Sequence, residues 1–500
     1  MKRWLAIGIP AVLVIALAIT IAVVGLRGDD GGALGDAARD DDDSTASSGP
    51  EPTEDTKDPD DPAYDVAESE PREDSLYSEM GDPGVDSLHY DLDLTWDPED
   101  KVLNGIATLT FRAAEDAEEV QLDLGEPLEV EKVTLDGEEV DHDHYGKDLV
   151  VDAEVEKDER YRLEVTYSGT PESVEAPTTR ADLENLGWTI TDGGEVWTMQ
   201  EPFGAFTWYP VNDQPADKAL YEFTIRAPEG WVGVANGVLD WRRDNDGQTV
   251  THWSLADPAA SYLTTIAIGD FEMSDNRSES GVPISYWVPS DFPTAAEKLS
   301  YAAEAMGWLE EKLGPYPFDS LGFVVVDSQS GMETQTMITL GTTDYTLSEA
   351  VVVHEITHHW YGDVVTPTDW RDMWMNEGMT MYIQGVWEAE DTGRSVDDVM
   401  DEWAQSDQSI RDEAGPPGAY DEDRFGEGNV YYSPALMWHE LRKKLGDDAF
   451  WDMVRTWPTV HANGNATREE YLDWIEKETG EELTEFFDDW LLGEKTPDRE

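Results

Sequence analysis

Two histidines four residues apart, His354 and His358, flank a glutamate in the run His354-Glu355-Ile356-Thr357-His358. On a helix that spacing puts both imidazoles on one face, where they can share a metal ion. Glu355 stands beside them without being a ligand and is placed to take a proton from metal-activated water. Catalytic zinc usually keeps three protein ligands and one open position, so a third ligand is required. Glu377, within Asn376-Glu377-Gly378, supplies it; eighteen residues separate it from His358, enough for the end of one helix, a loop and entry into a second. Val351-Val352-Val353 before the motif, Trp360-Tyr361 after it, and Trp370, Trp374 and Met375 ahead of Glu377 put both helices in an apolar setting. The pattern implies one zinc ion per chain and hydrolysis by activated water.

Composition narrows the alternatives. The chain has 500 residues, enough for two or three domains, and no cysteine. A disulfide framework, a thiolate nucleophile and a Cys-type zinc site are therefore excluded. The formal net charge is −78, and −66 of it falls in residues 76–500. A surface this negative repels nucleic acid and anionic lipid, so neither is expected as a partner. It also strains the fold unless salt screens it, and so reads as adaptation to a salty environment.

The elements that must position the motif follow from patterning along the chain. Lys2 and Arg3 precede 23 uncharged residues, Trp4 to Leu26. As a helix these span roughly 34 Å, enough to cross a bilayer, with the positive end inside. Residues 1–26 are thus expected to be a transmembrane signal anchor, with a cleaved signal as the alternative. Residues 27–75, rich in acid, Pro and Ser, read as a disordered linker. From 76 to 271 short alternating runs such as His89–Leu94, Ile106–Phe111 and Tyr161–Val165 predict a mostly antiparallel β domain. Over 272–500, strands at Ile284–Val288 and Phe323–Val326 and helices at Ala295–Leu313, Ala435–Leu445, Asp448–Thr456 and Arg468–Thr479 surround the zinc helices. The class is α+β and multidomain.

The segment VVVHEITHHWYGDVVTPTDWRDMWMNEGMTMY resembles the zinc core of the aminopeptidase N family, a gluzincin group. Ser330-Gly331-Met332-Glu333-Thr334 is similar to its Gly-Ala-Met-Glu-Asn strand, and Val430–Leu436 to the segment with its catalytic tyrosine, which maps to Tyr431. Met199-Gln200-Glu201-Pro202, with Trp208–Asp213 after it, resembles the segment bearing a second acidic anchor. The likeness covers residues 81–493 and implies a thermolysin-like α/β catalytic domain ending in a helical part. It further implies that the large C-terminal helical domain of many members is missing.

By the same resemblance Tyr431 donates a hydrogen bond to the oxyanion. Glu333 and Glu201 hold the substrate ammonium, and Gly331 and Met332 line the substrate. The expected activity is a membrane-anchored, extracellular zinc aminopeptidase acting on peptides with free N-termini. A gluzincin endopeptidase and a non-catalytic surface binding protein are the alternatives. Several positions depart from the family pattern: Met199, Thr334, His359, Met379 and Ser433-Pro434. Pro434 places the position of Tyr431 in question, because proline fixes its backbone angle and lacks a donor.

Overall fold

The computed structural model describes residues 58–499. The expected anchor, residues 1–26, lies outside the described residues. Among the described residues no helix is long and apolar enough to cross a membrane.

Of the expected linker, residues 27–57 lie outside the described residues, and residues 58–75 are ordered against the fold. A short 3₁₀ turn, Pro62–Ala67, is capped by the Asp61 carboxylate and buries Tyr64 and Ala67 against Leu88. Ser69 N–H donates to Asp86 at 2.9 Å. Asp74 accepts from the backbone of Leu76 and Tyr77, both at 2.8 Å, and of Trp370 at 2.7 Å. A few apolar anchors and carboxylates used as caps hold residues 58–75 to the fold, despite their acidity.

The β-rich part is built on an eight-stranded sheet whose neighbours are, in order, Val238–Asn245, Gln248–Ala260, Lys218–Pro228, Val85–Asp97, Val102–Ala113, Arg160–Gly169, Leu128–Leu135 and Glu138–Glu139. Leu92, Leu94 and Trp96 alternate inward while Asp91, Asp93 and Thr95 stay partly exposed, as a half-buried strand requires. All its pairings are antiparallel except that of Val85–Asp97 with Lys218–Pro228, which runs parallel. A five-stranded sheet, with Val196–Met199 between Ile266–Gly269 and Asn185–Ile190, packs over it through Trp96, Trp188 and Trp208.

A third sheet opens at Phe271 and is ordered Phe271–Arg277, Pro283–Pro289, Leu321–Val326, Met337–Gly341, Gly331–Met332. Its inner strands, such as Leu321–Val326, are buried throughout, as a helix-covered sheet demands. The helices are α1 (Thr294–Leu299), α2 (Ala302–Leu313), α3 (Glu349–His358), α4 (Trp374–Thr392), α5 (Val396–Ala414), α6 (Gly428–Leu445), α7 (Asp447–Val460), α8 (Arg468–Thr479) and α9 (Thr484–Leu491). The single helix expected over Ala295–Leu313 is divided into α1 and α2. Helix α5 was not foreseen, because its sequence is polar with few apolar residues; its Ser395/Asp398 capping box is the local signal that marks its start.

Candidate active site

Helix α3 begins where the Ser348 side chain accepts the Val351 N–H. It carries the Val351–Val353 run into the core and presents His354 and His358 one turn apart. After His358 the chain leaves the helix through Tyr361 (φ −129°, ψ 92°) and Gly362 (φ +130°). Only glycine tolerates that φ readily, and a Cβ at 362 would also lie 3.2 Å from the Asn376 carboxamide. The turn brings the Tyr361 carbonyl to 3.1 Å from Nδ1 of His358. Helix α4 then starts beside α3 with Glu377 in its first turn, where the helix dipole favours a carboxylate.

The three donor atoms converge. Nε2 of His354 and Nε2 of His358 are 3.1 Å apart, and Oε2 of Glu377 lies 3.2 and 3.3 Å from them. A tetrahedral ion with bonds near 2.0–2.1 Å separates its ligand atoms by roughly 3.3 Å. Each Nδ1 is engaged by an acceptor, Gln384 Oε1 at 3.0 Å for His354 and the Tyr361 carbonyl for His358. Both Nδ1 atoms therefore carry the proton, and both Nε2 lone pairs face one point. Glu377 Oε2 is buried and has no hydrogen-bond partner in the protein. Two facing lone pairs and an orphaned carboxylate oxygen are unfavourable until a cation sits among them, and this all-nitrogen and oxygen set suits zinc.

Glu355 is buried beside the triad, within reach of Glu333 and His358. Burial pushes its carboxyl up to about 7, against the pull of the two histidines. A base poised there matches neutral-pH proton transfer. Gly331, on the edge strand of the third sheet, leaves it room: a Cβ there would stand 3.1 Å from Glu355 Oε1. Met332 is buried alongside.

Glu333 and Glu201 gather near Glu377, one oxygen from each lying within 4.8 Å of the others. Oε1 of Glu333 and Oε1 of Glu201 are both buried without a hydrogen-bond partner. Burial raises both carboxyls, and for Glu201 the charge of Glu333 raises it further. Glu201 comes from the β-rich part, so the site is shared between the two parts of the fold.

Tyr431 lies in the first turn of α6, its ring 6.2 Å from that of His354 and tilted by 25°. Pro434 lies inside α6, three residues after Tyr431. The proline ring rests on Gly378 of α4, where a Cβ would be 2.5 Å from Pro434 Cβ, and the Ser433 hydroxyl bonds Asp407. Proline and serine thus fix α6 against α4 and α5. The other departures are packing: Thr334 bonds Thr339 at 2.9 Å, Met379 is buried, and Met199 Sδ accepts from Ser328 at 3.9 Å. His359 points away from the metal donors to the Tyr316 hydroxyl at 2.7 Å, and burial lowers its pKa to about 3.

Two neighbours of the site had no motif to announce them. Gln384 sits seven residues after Glu377 on the same face of α4, a spacing that could have flagged it. Arg180, on the loop before the strand Asn185–Ile190, places Nη1 3.2 Å from the Tyr431 hydroxyl, and no local pattern announces that contact.

Residues 297–490 match the family described as Peptidase family M1 domain, and residues 86–263 match the Peptidase M1 N-terminal domain. The chain is similar to aminopeptidase N of Streptomyces lividans, at 27% identity over 446 residues that cover 81% of this chain and 50% of that protein. It is similar also to aminopeptidase B of Rattus norvegicus, at 31% over 335 residues covering 59% and 49%. The chain spans about half the length of these relatives. An M1 zinc metallopeptidase from Deinococcus radiodurans, solved as a mutant bound to a Tyr-Ser-Ala substrate, shares the fold with TM-score 0.77 and 25% identity, covering 85% of this chain and 98% of that one.

Proposed function

The chain belongs to peptidase family M1, and on that premise we propose that it is a zinc aminopeptidase that releases the N-terminal residue of peptides. One observation carries the reading: two buried carboxylates, Glu201 and Glu333, each with an oxygen that has no hydrogen-bond partner, stand beside a His354–His358–Glu377 triad. Paired carboxylates at the end of a cleft hold one ammonium group and so count one residue from a free N-terminus.

His354, His358 and Glu377 would hold the zinc ion, which when bound would supply Lewis acidity toward water and the scissile carbonyl. Glu355 takes the proton of the attacking water and gives it to the leaving amine. Tyr431 donates a hydrogen bond from its hydroxyl to the oxygen that gains charge at the tetrahedral stage. Glu201 and Glu333 fix the substrate ammonium. The edge strand Gly331–Met332 offers its open side to the substrate backbone.

The test is one reporter peptide with a free and with an acetylated N-terminus. An aminopeptidase cleaves the free form alone. Cleavage of both marks an endopeptidase, and cleavage of neither marks a binding protein. Glu333→Ala should erode the preference for the free form; an unchanged preference would place the amine anchor elsewhere.

We further propose that residues 1–26 hold the catalytic part at the outer face of the cell membrane, on the strength of the 23-residue uncharged run behind Lys2 and Arg3. Fractionation and external protease treatment of intact cells, with and without residues 1–26, test this; catalytic protein that is soluble and protease-shielded overturns it.

A further inference from the structure

Arg180 reaches the site from the β-rich part on the loop between the strands Val174–Glu175 and Asn185–Ile190. That loop is stitched to the turn before α6. Phe425 N–H donates to the Pro177 carbonyl at 3.0 Å, Arg424 donates to the Thr179 hydroxyl at 3.2 Å, and Thr179 donates to Glu427, the residue that precedes α6. Four of the five N–H groups of the Arg180 guanidinium are then engaged. Nη1 donates to the Tyr431 hydroxyl at 3.2 Å and to the Gly426 carbonyl at 3.3 Å. Nε and Nη2 donate to the two oxygens of Asp182 at 3.3 and 2.7 Å. Asp182 in turn accepts from the Ser330 hydroxyl at 3.3 Å, immediately before the strand Gly331–Met332.

We infer that Arg180 is a positioning residue for Tyr431: it holds the phenol ring over His354 and occupies the phenol oxygen, so that the hydroxyl proton is left for the substrate. The reasoning is an inventory of donors. A phenol has one proton and lone pairs on oxygen, while arginine only donates. An N–H aimed at the tyrosine oxygen therefore turns the O–H to the other side, where Glu377 of the triad stands within hydrogen-bond reach. A fixed cation beside the phenol also makes its proton a stronger donor to an oxyanion.

The rival role, capture of a substrate's C-terminal carboxylate, fits less well. Four of the five guanidinium N–H groups already have acceptors, and Asp182 already balances the charge. The Asp182–Ser330 link also ties the tyrosine's support to the strand Gly331–Met332, which Glu333 directly follows, so the amine anchor and the oxyanion donor share one brace.

The inference rests on the aminopeptidase reading, and a double-mutant cycle separates the two. Tyr431→Phe should lower kcat by ~10²-fold or more, the usual loss for an oxyanion donor. Arg180→Met should lower kcat by ~10-fold or more, with KM, zinc content and Tm nearly unchanged. Arg180→Lys, which keeps the charge without the planar fork, should recover part of that loss. In the Tyr431→Phe background, Arg180→Met should cost less than ~3-fold, because the group it serves is gone. Equal costs in both backgrounds would overturn the inference and leave the aminopeptidase reading intact. So would an effect confined to KM that disappears when the substrate ends in an amide, which marks a carboxylate anchor. Full turnover in Tyr431→Phe would overturn the tyrosine's proposed role and, with it, the inference. Should Arg180→Met not fold, Arg180→Lys in the two backgrounds completes the cycle, with the same outcomes deciding.

Discussion

The Nδ1–H of His354 donates to Oε1 of Gln384 at 3.0 Å. The orientation of that carboxamide is set by Glu388, which accepts from Nε2 of Gln384 at 2.7 Å and has no proton to offer when ionised. Gln384 therefore fixes the tautomer that leaves Nε2 of His354 free. Gln384→Ala is expected to weaken zinc binding by ~10–100-fold, the usual cost of removing such a support. Competition against a chelator of known affinity checks this, and unchanged affinity would show that the tautomer is set without it.

Glu355→Gln keeps the shape of the site and removes the base. It is expected to retain one zinc per chain while kcat falls by ~10²–10⁴-fold. His358→Ala is expected to lose the metal as well. Metal analysis alongside steady-state kinetics distinguishes the two, and equal zinc loss in both variants would contradict the separate roles.

Lys218 is buried where the β-rich part meets the turn after α3. Its ammonium donates to the carbonyls of Asp363 at 2.7 Å and Val364 at 3.4 Å. Burial lowers its pKa to about 7, against the pull of Asp363 and Asp257. The unfolded value is about 10.4. Between these values the unfolded chain holds a proton that the folded chain does not, so this group makes stability rise with pH across the window. Below about pH 7 both states are protonated and its cost is fully present. The Tm of the wild type minus that of Lys218→Met is therefore expected to grow from pH 7 to pH 10, where the folded-state pKa lies about at the lower limit. A difference independent of pH would count against a neutral Lys218.

Cations in this protein are shared. Arg160 serves Asp65 and Glu68, Lys147 serves Asp123 and Asp148, and Arg112 serves Asp86 and Asp158. The −66 carried by residues 76–500 is thus left mostly to solvent and salt. Charges interact over roughly 30 Å at 0.01 M salt and roughly 3 Å at 1 M. The Tm of residues 58–500 is expected to rise between ~10 mM and ~1 M potassium chloride, since the compact state gains more from screening. A flat or falling melting temperature would refute the reading of salt adaptation.

The triad was legible because its geometry is local: His354 and His358 are four positions apart on one helix, and the loop to Glu377 is short. Glu201, Glu333 and Tyr431 came only through resemblance, since nothing in their own neighbourhoods points at a shared cavity. Arg180 and Lys218 were beyond reach for a different reason. Arg180 depends on a loop that meets the turn before α6, and Lys218 on a strand paired with one distant in sequence, as in the parallel match of His89 with Leu220; alternation of side chains encodes neither partner. Composition misjudged residues 58–75, where Tyr64, Ala67 and Asp74 outweigh an acidic average.

The seat of Pro434 on Gly378 works as a gauge block. Glu377 is the neighbour of Gly378, and Tyr431 lies three residues before Pro434, so the contact sets how far the metal ligand stands from the phenol. A methyl group at position 378 would touch neither metal nor substrate, yet it would act as a shim between two helices and reset that clearance. Tolerances at this centre are held by two aliphatic carbons on its far side, and the machining of the site begins behind it.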